Sequence, residues 1–339
     1  MGMALIIFGR VAQAIPTILG IIVVTFLMTR ALPGDPAAFF AGPAATEASI
    51  AQIRAQLGLD QPLWVQFVRY VQSLVVGDLG RSISTGQPVT VDLASRLPAS
   101  LELTLVALVL SVGVAVPLGV LAAVRQDSWV DQLCRIVVTA GVSLPTFFTG
   151  LVLVYFFYYL LGWAPMPVGR LDLVAIIPPR VTGFLLIDAP LAGDWPAAWS
   201  AVRQLILPAS TLALFTLAPI ARMTRAAMIQ ALGSEYLRTA RACGLSRRTI
   251  LLTYALRNAQ LPVVTTLGMV FSFSLGANVL VEKVFSWPGI GSYAVEALVA
   301  SDYAAVQGFV LAMAVLFVML NLLIDIAYTL IDPRVRIDG

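Results

Sequence analysis

The sequence predicts an all-α integral membrane protein that crosses the bilayer several times. Of its 339 residues, 59% are hydrophobic and only 12% are charged, whereas a soluble domain carries roughly 25% charged residues. The mean hydropathy is +0.91. Six apolar stretches approach the ~20 residues that a helix needs to span a bilayer. We therefore predict six transmembrane helices within a single domain, 1–339.

The six predicted spans are separated by charged residues and by turn-forming residues. Proline occurs inside the second, third and fourth spans, as Pro117, Pro145 and Pro208, and is expected to kink those helices. The first span is too long for a cleaved signal peptide, so we expect it to be retained. The spans lie at 11–29, 103–124, 136–161, 204–221, 262–281 and 303–331.

The distribution of arginine predicts the orientation of the chain. The loop 222–261 carries seven arginines and one acid, Glu235, whereas the short loop after the fifth span carries three acids and only Lys283. Short loops rich in Lys and Arg stay on the cytoplasmic side. We therefore predict that both termini and the loop 222–261 are cytoplasmic and that the segments 30–102 and 162–203 are external.

The two external segments differ in pattern. In 30–102, apolar residues recur at helical spacing over 50–57 and again over 64–74, which predicts short amphipathic helices that lie at the outer membrane surface or pack on the bundle. The segment 162–203 is rich in Pro, Gly and Asp, so we predict an irregular cap.

Composition excludes several kinds of chemistry. The chain contains no histidine, which rules out Ser-His or Cys-His catalysis and His-ligated zinc. Its single lysine, Lys283, follows Glu282, whereas a phosphate-binding GxxxxGK[ST] loop needs glycine before the lysine. We therefore predict a non-catalytic chain with no metal and no cofactor of its own. The charge distribution requires no nucleic-acid partner.

The densest positive charge lies in the segment SEYLRTARACGLSRRTILLTYALRNAQ, residues 234–260. Ser234 is a candidate helix cap, Gly244 can adopt positive φ and end that helix, and Ser246 can begin another. This pattern predicts a helix, a tight turn and a second helix. Two explanations remain open: a topology signal that faces anionic headgroups, or an ordered docking element for a cytoplasmic partner.

The arginine block resembles the EAA loop of permease subunits in bacterial ATP-binding-cassette importers. The family pattern is EAA, three residues, glycine and a later Leu-Pro. Arg238-Thr239-Ala240 takes the EAA positions, Gly244 takes the glycine, and Leu261-Pro262 takes the Leu-Pro. Arginine and threonine replace Glu-Ala, and the interval to the proline is longer. Both departures are similar to the peptide-importer branch, in which TARAxGLS is followed by ALRNAxxP.

Five further segments resemble the first, or B-type, permease of that branch, and they occur in the same order. These are LPGDPA at 32–37, LGLDQPLWVQFVRYV at 57–71, GDLGRS at 77–82, SLPTFFTGL at 143–151 and VEKVFSWPGIG at 281–291. The resemblance covers the whole chain and implies the type I importer permease fold in a bacterial inner membrane.

The resemblance implies partners and a role. A second, homologous permease would complete a heterodimer, two cytoplasmic subunits would bind ATP and Mg²⁺, and an external solute-binding protein would deliver cargo. The chain would form half of the path for dipeptides or oligopeptides, with glutathione as a further candidate. The loop would couple ATP hydrolysis to the membrane helices through Glu235, Arg238, Thr239, Ala240, Ala242, Gly244, Leu245, Ser246 and Arg247.

Polar residues inside spans are candidates to line the path, although Ser and Thr also bond within their own helix or to a neighbouring helix. The segment after the fifth span is a candidate external gate, or an ordinary turn with aromatic residues at the outer interface. The path candidates are Ser143, Thr146, Ser272, Ser274, Asn278 and Asn321, and the gate candidates are Phe285, Trp287, Pro288 and Gly289.

Three other functions remain to be compared. Importers of nickel or of another small solute use similar permeases, and the sequence does not separate their cargo from peptides. A stand-alone transporter driven by protons or sodium predicts paired acids at the midplane and inverted repeats, neither of which the sequence displays. An intramembrane hydrolase is disfavoured, because the chain has no histidine and no plausible Ser-Lys pair.

Overall fold

A computed structural model describes residues 3–31, 36–41, 45–56 and 58–331, and it confirms the all-α class. Within these ranges the only β-structure is an isolated bridge between Arg81 and Pro88. The helices are α1 Met3–Ala31, α2 Pro36–Ala41, α3 Glu47–Gln56, α4 Leu63–Val75, α5 Val89–Val124, α6 Trp129–Val142, α7 Thr146–Leu153, α8 Leu185–Leu191, α9 Trp195–Leu232, α10 Glu235–Ala242, α11 Arg247–Thr249, α12 Leu256–Val284, α13 Ile290–Val299 and α14 Tyr303–Ile331.

Four described helical runs are long and apolar enough to cross a membrane. They are Val89–Val124, Trp195–Leu232, Arg247–Val284 and Tyr303–Ile324, and the bent pair formed by α6 and α7 would make a fifth. The first predicted span falls within α1, whose described apolar part is Ile15–Met28. The count of six spans and the side of the termini remain predictions.

The third predicted span, 136–161, is bent at the proline where a kink was expected, and by more than an ordinary kink. Helix α6 ends at Val142, and the chain turns by 98° before it continues as α7 and a π-helical segment, Val154–Leu160. The cause is Pro145, which has φ −56° and ψ 140°. Proline donates no backbone hydrogen bond and disfavours helical geometry in the residue before it.

The predicted cytoplasmic loop 222–261 is mostly helical, as expected on both sides of Gly244, and it is continuous with the long apolar helices. Helix α9 extends to Leu232, and the helical run Arg247–Val284 begins well before the apolar stretch. Hydropathy detects only the part of a helix that matches the bilayer core, whereas alanine and arginine continue a helix readily into a polar environment. Only 233–246 lies between the two long helices.

One compact unit comprises the described residues up to Pro98 together with Gly289–Leu322. Its core contains Val89, Leu93 and Tyr293. Two buried carboxylates hold this unit: Asp302 accepts a 2.6 Å hydrogen bond from Ser82 Oγ, and Asp92 accepts one of 2.6 Å from Thr85 Oγ1. The short helices predicted in the external segment are present as α3 and α4, and α4 has the expected apolar face, whereas α3 does not.

The second unit runs from Ala99 to Pro288 and includes the described residues from Leu323 onward. Helix α9 is its centre, since it packs along α12 and also contacts α6, α7 and α8. Large side chains of α9 that face these neighbours, such as Leu212, Ile220 and Met228, are fully buried.

An ion pair joins α6 to α9 inside this unit. Arg225 Nε lies 2.8 Å from Asp131 Oδ1, and Arg225 Nη2 lies 2.6 Å from Asp131 Oδ2. The Asp131 side chain is fully buried. A two-point arginine–carboxylate contact fixes both position and orientation, so it sets the register of the two helices.

The external segment 162–203 is irregular only up to Phe184, and the prediction of an irregular cap fails beyond it. Helix α8 follows, and α9 already begins at Trp195, where the Asp194 side chain caps it by accepting from Ala197 N at 2.9 Å. Asp188 of α8 organises the irregular part, because its carboxylate accepts hydrogen bonds from Val181 N, Thr182 N, Thr182 Oγ1 and Gly183 N.

These contacts predict a pH dependence of the cap. Burial alone would raise the pKa of Asp188, but the hydrogen bonds from Thr182, Gly183 and Val181 outweigh burial and lower the pKa below the ordinary 3.8. A lowered pKa stabilises the folded cap above the ordinary value, and that contribution is lost as the pH falls through the lowered pKa. Hydrogen exchange at residues 181–183, corrected for intrinsic rates, should be slow from pH 7 to pH 5 and accelerate only below pH 3.8.

The Asp188→Asn variant is the control for this prediction. It replaces the titrating carboxylate with a neutral amide that has one acceptor oxygen. Exchange at 181–183 should therefore be faster at neutral pH and should show no step at low pH. Equal protection of the wild-type cap on both sides of the expected step would contradict the assignment.

Candidate coupling site and translocation residues

The coupling segment, residues 233–246, is held against the long helices by one face of α10. Leu237 is fully buried and Ala240 is 8% exposed, and residues three apart share a helix face. They pack in a cluster with Met228 of α9 and Ile250 of the following helical run. Since an isolated eight-residue helix is marginal in water, this packing is what orders α10.

The opposite face of the coupling segment is exposed. Of the nine predicted coupling residues, Ala240 alone is buried. The pair formed by Arg238 Nη1 and Glu235 Oε1, 3.5 Å apart, is exposed to solvent and contributes little stability. The other exposed candidates are Thr239, Ala242, Gly244, Leu245, Ser246 and Arg247.

The turn after α10 confirms the predicted role of Gly244, whose φ is +74°. Gly244 N donates to Arg241 O at 3.0 Å, and Leu245 N donates to Ala240 O at 3.3 Å, which is the hydrogen-bond pattern of a Schellman motif. A Cβ atom added at Gly244 would meet no atom within 4 Å. The turn therefore needs the backbone freedom of glycine and presents open space.

Serine capping is confirmed at one end of this segment and wrong at the other. Ser246 Oγ accepts from Thr249 N at 3.2 Å and begins the second helix as predicted. Ser234 occupies the position before α10, but its hydroxyl donates to Ala231 O at 2.5 Å instead of capping α10. Beside the turn lies a cleft of about 430 Å³, lined by Val124, Leu232, Arg241, Leu245, Arg247, Ile250 and Leu251.

Most hydroxyl groups among the path candidates bond within their own helix. Ser143 is exposed and donates to Thr139 O at 2.8 Å, Ser272 is half-buried and donates to Gly268 O at 3.2 Å, and buried Ser274 donates to Val270 O at 2.7 Å. Thr146 is half-buried at the start of α7, and Asn321 is exposed on α14. Their role in a path stays a prediction.

Asn278 lies in a buried polar contact between α12 and α5. Its Nδ2 donates to Ser100 O at 3.1 Å and to Thr104 Oγ1 at 2.9 Å, and only 1% of the residue is exposed. One turn later, Glu282 accepts a 2.5 Å hydrogen bond from Ser100 Oγ. Asn278 therefore holds α12 against α5 through these hydrogen bonds.

Two of the four gate candidates are not interfacial, which corrects the expectation of an aromatic belt. Phe285 and Trp287 are each 2% exposed and belong to the core of the second unit. Trp287 Nε1 donates to Ala99 O at 2.9 Å. Pro288 is exposed and Gly289 is buried. Whether the segment gates a path remains a prediction.

Sequence reasoning missed a charged cluster at the same end of the second unit. Arg170 Nη2 pairs with Glu102 Oε2 at 2.5 Å and donates to Gly183 O at 2.9 Å, while Glu102 Oε1 accepts from Leu186 N at 2.8 Å. Glu102 directly precedes a predicted span, where a charge normally marks the aqueous boundary. No local pattern could reveal that its partner comes from the external cap.

Asn278→Asp should lower the melting temperature of the purified protein more than Asn278→Ala does. The aspartate turns a donor into an acceptor that faces Ser100 O and Thr104 Oγ1, and an unpaired buried charge costs about 3–5 kcal/mol, against about 1–3 kcal/mol for the lost donor. Ser274→Ala is the matched control, because that hydroxyl donates to Val270 O of its own helix. If Asn278→Asp melts at the wild-type temperature but its transport is altered, Asn278 would instead lie in the path.

Leu237→Ala should detach α10 from the long helices. Removing a buried leucine side chain costs about 2–5 kcal/mol, which an eight-residue helix cannot offset. Trypsin cleavage after Arg238 and Arg241 in detergent should accelerate, whereas exposed Thr239→Ala should leave the rate close to that of the wild type. Equal cleavage rates in all three proteins would show that Leu237 does not anchor α10.

Comparison with known proteins agrees with this architecture. Residues 115–337 match the model of the family described as binding-protein-dependent transport system inner membrane component, and residues 3–104 match the model of its N-terminal region. The chain is 46% identical over 320 residues to a probable D,D-dipeptide transport system permease protein of Escherichia coli K12, covering 94% of each chain.

Two further relatives match over nearly their whole length. A di/tripeptide transport system permease protein of Pseudomonas aeruginosa UCBPP-PA14 is 42% identical over 328 residues, which cover 96% of this chain and 97% of the relative. A dipeptide transport system permease protein of Escherichia coli K12 is 40% identical over 334 residues, covering 97% and 98%. The chain therefore belongs to the family of binding-protein-dependent transport system inner membrane components, as a permease subunit of the bacterial inner membrane.

Proposed function

We propose that this chain forms half of the translocation path of an ATP-binding-cassette importer for dipeptides or oligopeptides. Three relatives that match it over at least 94% of its length are named as permeases for dipeptides, di/tripeptides or D,D-dipeptides. Peptide cargo is therefore favoured over nickel and other small solutes.

The proposed assembly contains a second, homologous permease as a heterodimer partner, two ATP-binding subunits and an external solute-binding protein. The family description names a binding protein as part of the transport system. ATP and Mg²⁺ belong to the partner subunits, because this chain has no GxxxxGK[ST] loop. The chain itself catalyses no reaction.

The observation that carries the coupling role is the geometry of the coupling segment. Seven of the nine predicted residues are exposed within it, while Leu237 and Ala240 pack against the two long helices. Both of its ends continue into 38-residue helical runs, Trp195–Leu232 and Arg247–Val284. A force applied to α10 by an ATPase would therefore act directly on two spans.

Transport would follow from a change in the populations of two conformations of the transporter. The chain alternates between outward-facing and inward-facing packings, and the ATPase dimer favours different packings when it holds ATP and when it does not. A rigid coupling segment is required, because a flexible linker would absorb the motion of the ATPase without moving α9 or α12.

Substitution of Gly244 tests the proposal. Gly244→Asn keeps the turn, since asparagine tolerates positive φ, whereas Gly244→Val strains it. Both variants place a side chain in the open space where a partner would approach. We expect peptide uptake to be lost in both, with Gly244→Asn still expressed and folded normally. Uptake is measured in cells that carry the complete transporter.

Gly193→Asn is the matched control. Gly193 has φ +71°, and a Cβ added there also meets no atom within 4 Å, but it follows α8 in the predicted external segment. Its substitution should leave uptake intact. Normal uptake in Gly244→Asn and Gly244→Val at normal expression would contradict the coupling role.

A further inference from the structure

A cavity of about 270 Å³ lies between α5, α6 and α9, and three arginines are among the residues that line it: Arg135, Arg222 and Arg225. The remaining lining is mostly apolar. It includes Leu118 and Ala122 from α5, Val138 from α6 and Ala221 from α9. None of the residues that line this arginine pocket belongs to the coupling segment or to the path candidates.

The charges of the arginine pocket are not balanced within the described part of the chain. Asp131 offers both oxygens to Arg225, at 2.8 and 2.6 Å, and Oδ1 lies 3.8 Å from Arg135 Nε. Asp127 also lies near Arg225 and interacts with it electrostatically. Arg222 donates from Nε to Ala218 O of its own helix at 3.3 Å. Three arginines therefore meet two carboxylates, which leaves an excess of one positive charge, and both Arg135 and Arg222 remain accessible.

The position of the pocket indicates which anion is available. Arg222 immediately follows the predicted span 204–221, and Arg135 immediately precedes the predicted span 136–161. By the predicted orientation, both lie at the cytoplasmic ends of their spans. The cytoplasmic leaflet carries anionic lipids, and basic pockets between helices on that side are suited to their headgroups.

We propose that the arginine pocket binds the phosphate of an anionic phospholipid of the inner leaflet. Arg135 and Arg222 donate to the phosphate oxygens, Arg225 is held in place by Asp131, and the apolar wall of Leu118 and Val138 contacts the beginning of an acyl chain. Guanidinium groups match phosphate oxygens at two points.

The lining favours a lipid over the carboxylate of a peptide. Besides its arginines, the pocket offers one hydroxyl, from Thr139, and one thiol, from Cys134. A bound peptide would also bury amide groups, which cost free energy unless they are hydrogen-bonded. A lipid needs only a charged contact and an apolar wall.

The test is lipid retention by the complete transporter, purified in mild detergent and analysed by native mass spectrometry after exposure to phosphatidylglycerol or phosphatidylcholine. We expect the wild type to retain phosphatidylglycerol preferentially and the affinity to fall about fivefold for each arginine replaced in Arg135→Gln and Arg222→Gln. Arg222→Lys keeps the charge and should retain most of the binding. Arg203→Gln, an exposed arginine at the other end of α9, is the matched control and should change nothing.

Several outcomes would overturn the proposal. These are equal retention of the two lipids, an equal loss in Arg203→Gln, or displacement of the bound lipid by inorganic phosphate or a dipeptide at concentrations that leave other retained lipids in place. The melting temperature of each variant distinguishes lost binding from lost folding. Peptide uptake is not the readout, so the result does not depend on the identity of the cargo.

Discussion

The packing of α9 against the helical run Arg247–Val284 is the constraint on which the rest of the second unit depends. In α9, 72% of the most apolar window is buried within the chain, against 44% for Arg247–Val284 and 22% for Tyr303–Ile324. A helix that is buried nearly all round acts as the support for its neighbours. Helices α6, α7 and α8 each contact α9, so a shift of α9 displaces them as well.

This support explains why a short exposed segment can be ordered. Helix α10 is stabilised by tertiary packing rather than by its own length, because Leu237 inserts among Met228, Ile250 and their neighbours. Burying one leucine contributes about 1.5–3 kcal/mol, which is enough to hold a marginal helix in one place. The same contact connects the two ends of the segment mechanically, since its partners belong to both long helices.

The sequence predicted those features that local pattern encodes. The last helix spans Tyr303–Ile331, which matches the predicted 303–331, and Gly244 adopts the positive φ that its position between two helical patterns requires. The bend at Pro145 was expected only as a kink. Its 98° amplitude depends on how α6 and α7 pack against α9, and sequence periodicity carries no information about that packing.

Charged and amide groups in the buried interior were the least predictable part. Asp131 pairs with Arg225, which is 94 positions away in the sequence, and Asn278 donates to Ser100, which is 178 positions away. A charge at the end of an apolar stretch normally indicates water, and only tertiary contacts reveal a buried pair. Similarly, Phe285 and Trp287 fit an interfacial belt by composition, yet both rings fill the core.

The most direct measurement of docking at the coupling segment uses its own cysteine. Of the two free cysteines, Cys243 is exposed beside Gly244 and Cys134 is buried, so Cys134→Ser leaves a single reporter thiol. A membrane-impermeant maleimide is applied to inside-out and right-side-out vesicles, with the ATPase subunits bound or stripped. A docking segment predicts labelling only in inside-out vesicles and much slower labelling when the ATPase is bound. Labelling from the outside, or equal rates with and without the ATPase, would contradict it.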